Sequence, residues 1–199
     1  MMKKKDIRKN QIIDLAIEMF IANSIQNTTL KDIARAAGVG EATMYRYFGE
    51  KSGLVISAGI KLQADIRQLF IKQDEGPYDF TFFEDFFNTF YDVYKTNHYY
   101  FKVLKDFDVY FFSNNIDISK YIPANNSARD TFRRAYFDAL IGGLVREVMD
   151  LDTFYTASVY SIIELCKKLA DSDFKKKASR RSLQIIRKQI DMVIYYLKK

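Results

Sequence analysis

The sequence predicts an all-α protein of about nine helices, a small three-helix unit at the amino end followed by a larger helical one. Three observations point there. Only Pro77, Pro123 and eight glycines interrupt 199 residues, too few turn residues for a sheet protein. Leu, Ile, Lys, Glu, Asp and aromatics dominate the composition, which favours helix. Apolar residues also recur at spacings of three and four rather than two. With 48% hydrophobic residues the chain is expected to bury a core.

Taken in order, Ile12, Leu15, Ala16, Met19 and Phe20 lie on one face of a first helix predicted from Asp6 to Asn23. Asn23 to Asn27 is polar and turn-like. Thr29 is positioned to cap a second helix through Ala37, its hydroxyl meeting a free backbone N–H. Gly38 follows where only glycine turns cheaply, and a third helix is predicted from Glu41 to Phe48. Ile33, Ala37, Val39, Met44 and Tyr47 are spaced to close one apolar seam between these helices, with small Ala34 where they nearly touch. TLKDIARAAGVGEATMYRYFGEKSGL, residues 29–54, is therefore a helix-turn-helix whose second helix is left to enter a DNA groove.

A fourth helix from Lys51 to about Gln73 carries Leu54, Ala58, Leu62, Ile66 and Leu69 on one face, and Gly76-Pro77 stops it. From 78 to 112 the chain holds 16 of its 31 Phe and Tyr residues. Those of 80–94 spread over roughly half of one helix surface, wider than a single packing stripe. Core packing and the wall of a ligand pocket both explain the spread. Thr96-Asn97 separates this helix from one near His98 to Phe112, and Ser113 to Asn126 reads as a polar connection. Helix seven is predicted from Ser127 to Met149, with Gly142-Gly143 permitting close approach or a kink. Two helices, near Asp152 to Leu169 and Ser179 to Leu197, complete the pattern.

Thr28-Thr29, Asp32-Ile33-Ala34, Ala37-Gly38-Val39, Thr43, Tyr45, Tyr47-Phe48, Lys51 and Leu54 closely resemble the TetR family of bacterial transcriptional repressors. The resemblance covers roughly residues 8–60. It implies a DNA-binding domain over 1–52 and an effector-binding and dimerisation domain over 53–199, with the fourth helix joining them. By resemblance, Lys31, Gly40, Glu41, Ala42 and Arg46 meet bases or the groove floor, while Thr29, Thr43, Tyr45, Tyr47 and Lys51 hold phosphates. The chemistry fits: Arg46 can donate twice to guanine, Glu41 accept from cytosine, and Ala42 meet a thymine methyl. Gly40 departs from the serine usual at the start of this helix, and Glu50 from the small polar cap before the next. Both weaken capping.

Charge is uneven. Residues 1–51 hold nine Lys and Arg against six Asp and Glu, 52–173 hold thirteen against eighteen, and 174–199 hold nine against one. The first excess suits phosphate neutralisation. The last, with Lys175, Lys176, Lys177, Arg180 and Arg181, is either a solvated loop or a second nucleic-acid patch. No apolar run is long enough to span a membrane and no secretory leader is recognised, so a cytoplasmic protein with no membrane partner is expected. The single cysteine, Cys166, agrees with a reducing compartment.

His98 is the only histidine and has no acid or nucleophile at fixed spacing, so no enzyme, cofactor or metal site is expected. The expected partners are operator DNA in double-stranded form, a second copy of the chain and a small apolar or aromatic effector. Phe83, Phe87, Phe90, Tyr91, Tyr94, His98, Phe101, Tyr110, Tyr136 and Leu140 are the candidate pocket. Phe154, Ile162, Leu165, Leu169, Ile186, Ile190, Val193 and Leu197, on the last two helices, are the candidate dimer interface. The expected function is that of a ligand-responsive repressor. Two alternatives remain open at this point: a small-molecule-binding or enzymatic helical protein with a relict DNA module, and a non-specific DNA-organising protein.

Overall fold

The computed structural model describes residues 4–71, 78–117, 127–148, 150–173 and 177–199. Among these, nine helices follow in order: α1 (Lys4–Asn23), α2 (Leu30–Ala37), α3 (Glu41–Phe48), α4 (Lys51–Ile71), α5 (Phe80–Asn97), α6 (Tyr99–Ser113), α7 (Ser127–Ile141), α8 (Leu151–Ser172) and α9 (Arg180–Leu197). The expected stop at Gly76-Pro77 and the connection around Pro123 lie outside the described residues. So do Lys175, Lys176 and the side chain of Leu69. No helix among the described residues is long and apolar enough to cross a membrane.

Two compact units are present. One comprises Met1–Asp65 with Val103–Pro123, the other Ile66–Lys102 with Ala124–Lys199. The division therefore falls inside α4, later than residue 52, and α6 contributes to both units.

In the first unit, Ile12, Ala16 and Phe20 of α1, Ile33 and Ala34 of α2, Met44 of α3 and Leu54, Val55 and Ala58 of α4 are buried. Phe20 meets the ring of Phe107 edge-on at 6.2 Å. Thr29 caps α2 as its spacing predicts: its hydroxyl oxygen accepts from Asp32 N–H at 3.1 Å, and Asp32 Oδ2 accepts from Thr29 N–H at 3.1 Å. This reciprocal box satisfies two backbone donors that the helix leaves open. Gly38, at φ 62°, ends α2, with Val39 N–H donating to Ala34 O at 3.0 Å and Gly38 N–H to Arg35 O at 3.2 Å.

The second unit is built around α5, which packs against α7, α8 and α9. That explains the wide spread of its rings: Phe82, Phe83, Phe86, Phe87, Phe90 and Tyr94 are all buried. Phe132 of α7 is their hub, with ring centroids 5.3 Å from Phe83, 5.1 Å from Phe86 and 5.1 Å from Tyr155 of α8. Edge-to-face rings of this kind add about 0.5–1.5 kcal/mol per pair beyond burial.

Helix seven is shorter than its sequence predicts. Gly142-Gly143 neither kinks it nor admits a neighbour; it ends the helix. Gly143 adopts φ 70°, Leu144 N–H donates to Ala139 O at 2.9 Å and Gly143 N–H to Leu140 O at 3.0 Å. The chain then runs extended beside the end of α9, with Val145 bridging Lys198 and Arg146 N–H donating to Leu197 O at 2.9 Å.

Candidate nucleic-acid interface

Helix α3 divides its residues cleanly. Met44 and Phe48 are buried, four apart on the inner face. Glu41, Ala42, Tyr45 and Arg46 are exposed on the outer one, and Tyr45 keeps 56% of its surface open. Gly40, also exposed, is the N-cap and supplies no side-chain hydrogen bond. The first N–H groups of α3 therefore have no side-chain acceptor from the cap, as its missing hydroxyl predicts.

The flanking residues are similarly placed. Lys31 and Thr29 are exposed, while Thr43 and Tyr47 are half-buried. Arg46 lies 5.6 Å and Lys5 5.9 Å from the Tyr47 ring centroid, holding two cations beside α3. Arg8 donates to Ala37 O at 2.7 Å and so helps to satisfy the end of α2. The hydrogen bonds from the Thr29 side chain and backbone hold the Asp32 carboxyl below its ordinary value.

Lys51 is less free than a surface cation. Its ammonium donates to Ile25 O at 2.6 Å, tying α4 to the turn after α1, and burial pushes its pKa down. That turn contains Ser24 at φ 70°, a left-handed conformation a non-glycine residue adopts only at some cost.

The candidate pocket residues do not form one group. Phe83, Phe87, Phe90, Tyr94, His98, Phe101 and Tyr136 are buried in the second unit, while Tyr91 and Leu140 are half-buried there. Tyr110 belongs to the first unit, on a cleft of about 120 Å³ with Ser24, Ile25, Gln26, Asp106 and Val109. Burial and the charge of Glu50 push its hydroxyl pKa up.

Several polar groups of the candidate pocket residues are engaged by the protein itself. Tyr136 Oη accepts from Val148 N–H at 2.8 Å and donates to Arg146 O at 3.2 Å, pinning the extended segment after α7. Tyr94 Oη donates to Asp173 Oδ2 at 2.8 Å. His98 Nε2 lies 3.1 Å from Asp173 O; because a carbonyl only accepts, that nitrogen carries the proton. Asp173 also accepts from Ser179 N–H at 3.0 Å, so one buried carboxylate at the end of α8 joins α5 to the start of α9. Sequence spacing missed Asp173 and Phe132, since both act through contacts distant in the chain.

The candidate dimer residues divide by their burial within the chain. Ile162, Ile186, Ile190, Val193 and Leu197 are buried inside the single chain, turned towards its own core. Phe154, Leu165 and Leu169 are half-buried. The apolar residues left outside on α8 and α9 are Tyr160, Ile185, Met192, Tyr195 and Tyr196. The reason is geometric: α9 is apolar enough to pack on α5 and α8 and still present a second face.

Residues 12–58 match the model of a family described as bacterial regulatory proteins, tetR family. The fatty acid metabolism regulator protein of Bacillus subtilis (strain 168) is 39% identical over 56 residues, 28% of this chain and 29% of that protein. An HTH-type transcriptional regulator of Staphylococcus aureus (strain USA300) is 24% identical over 184 residues, 92% of this chain and 89% of that one. The match to the Bacillus subtilis regulator and to two other curated relatives spans only 26% to 34% of their length. Among solved structures, the fatty acid degradation regulator FadR from Bacillus halodurans has a TM-score of 0.67 at 18% identity, over 96% of this chain and 97% of that one. The TetR-family regulator PfmR from Thermus thermophilus has 0.65 at 16%, over 94% and 99%. At these identities the structures speak for the fold, and the family match speaks for the helix-turn-helix segment. Residues 12–58 carry the amino-terminal segment of the tetR family of bacterial regulatory proteins, and the chain as a whole shares the fold of solved TetR-family structures.

Proposed function

We propose that the protein is a homodimeric transcriptional repressor that binds a palindromic operator and is released from it by a small apolar or aromatic effector. The observation that supports this most is the split of α3: a fully buried Met44 beneath an outer face of Glu41, Ala42, Tyr45 and Arg46. Buried residues fix the helix so that exposed ones reach base edges in register. In this reading Lys31, Gly40, Glu41, Ala42 and Arg46 face the groove, and Thr29, Thr43, Tyr45, Tyr47 and Lys51 face phosphates. No catalytic role is assigned to any residue, and the protein works in the bacterial cytoplasm, where the operator is.

The effector enters the ring cluster of α5, parting Phe83, Phe87 and Phe90 from their neighbours. Two of the similar proteins are named for fatty-acid metabolism, which fits an apolar ligand. Binding releases DNA only through a difference in affinity between two states of the dimer. Helix α4, shared by both units, is the covalent route for that difference.

The test is operator selection from random DNA, followed by titration of Arg46→Ala against single-base variants. Loss of preference at one position per half-site, worth about 1–3 kcal/mol, is expected. Equal weakening on every sequence would remove Arg46 from base readout. Dimer assembly is tested by Ile185→Glu, which is expected to give folded monomers with poor operator affinity. Effector response is read by operator release after a thermal-shift screen, with Phe90→Ala and Tyr94→Ala as controls.

A further inference from the structure

The second unit carries an open groove of about 540 Å³ between α5 and α9, lined by Tyr91, Arg180, Leu183, Gln184, Arg187 and Lys188. The five α9 residues fall at i, i+3, i+4, i+7 and i+8, so they share one face, and three are cations. Like charges on one helix face repel, and proteins ordinarily offset them with interleaved carboxylates. Here α9 has a single acid, Asp191, which pairs with Lys188 at 3.4 Å. Among the described residues, no carboxylate pairs with Arg180 or Arg187.

Arg187 is also held in place. Its Nη1 donates to Asn88 Oδ1, and its guanidinium lies 4.1 Å from the Tyr91 ring centroid. A guanidinium stacked on a ring and hydrogen-bonded at one edge loses little freedom when its other edge binds a phosphate by two parallel bonds. Leu183 gives the same groove an apolar wall.

We infer that this groove binds a small phosphorylated ligand bearing two or more adjacent anionic groups. Arg187 grips one anionic group bidentately, Arg180 and Lys188 neutralise the next, and Leu183 covers an attached apolar portion. The site is separate from the ring cluster of α5 proposed for the apolar effector, and its existence does not depend on that proposal.

The experiment is calorimetric titration of the full-length protein with inorganic pyrophosphate at constant ionic strength, with sodium sulfate as a control for general anion binding. Pyrophosphate is expected to bind one site per chain. Arg187→Gln and Arg180→Gln are each expected to weaken it by ~10-fold or more, as loss of a charge-assisted hydrogen bond requires. Gln184→Glu is expected to abolish binding without loss of helical signal, because residue 184 is exposed and glutamate is a good helix former. Binding that is absent at millimolar pyrophosphate, matched by sulfate, or unchanged in all three variants would overturn the proposal. Displacement of pyrophosphate by unrelated duplex DNA, with the same dependence on these residues, would overturn it in favour of a second nucleic-acid patch.

Discussion

Gly53→Ala is a substitution whose sign the structure decides. Residue 53 lies in the first turn of α4, directly after α3, and helix propensity alone would have alanine stabilise it by about 1 kcal/mol. The backbone here is folded tightly: Glu50 N–H donates to Phe48 O at 2.9 Å and Gly53 N–H to Glu50 O at 3.1 Å. A Cβ at residue 53 would overlap the Phe48 carbonyl oxygen and stand 3.1 Å from its carbon. An ordinary approach of carbon to carbonyl oxygen is ~3.3 Å, so the turn from 48 to 50 must move by about 1 Å. The obstacle is backbone and cannot swing aside as a side chain does. Overpacking costs about 1–3 kcal/mol, occasionally more, and it outweighs the propensity gain. The net loss is up to about 2 kcal/mol, which lowers Tm by up to roughly 8 °C in a chain of this size. Phe48 is the last residue of α3, so operator affinity should fall further than the unfolded fraction explains. Circular dichroism melting and operator titration of the variant below its Tm measure both effects. A Tm raised by a few degrees with unchanged operator affinity would refute the steric reasoning.

Thr29→Ala removes the capping box of α2 and is expected to destabilise the first unit by about 1 kcal/mol, seen as a lower urea midpoint with the same m-value. Tyr136→Phe leaves the Val148 N–H without its acceptor; a loss of about 1–2 kcal/mol is expected, with faster hydrogen exchange at Val148 and unchanged exchange in α2. Acid stability should depend on Asp173. Burial alone would raise its carboxyl, but hydrogen bonds from Ser179, Tyr94 and Ser182 outweigh that and hold it below its ordinary value. The stability contributed is then present above the unfolded pKa of ~3.9 and is lost as pH falls through the lower folded value. Asp173→Asn should be less stable at neutral pH but show a shallower loss as pH falls below the ordinary carboxylate range; an unchanged acid limb would remove Asp173 from that role.

What the chain settles by itself is local. Thr29, Gly38 and the apolar seam of Ile33 and Met44 are close in sequence, and the chemistry of a cap or a left-handed turn is complete within a few residues. The helix-turn-helix and most helix bounds were therefore legible directly, as was the family of the amino-terminal segment. Tertiary structure decided what depends on distant partners. An amphipathic count along α9 gives an apolar face but cannot say whether α5 or a second chain covers it; Ile186 and Ile190 went to the interior, Ile185 and Met192 to the outside. Rings crowded on α5 could not name their neighbours from sequence; Phe132 of α7 and Tyr155 of α8 meet them only in the folded chain. The end of α7 at Gly142-Gly143 was hidden for the same reason. The glycines permit either continuation or a stop, and the stop is held by contacts the local sequence does not contain: Tyr136 Oη on the segment after the turn, and Leu197 O on Arg146. Short-range hydrogen-bond geometry is written in neighbouring residues, whereas the choice of which apolar face meets which is an energy of the whole chain.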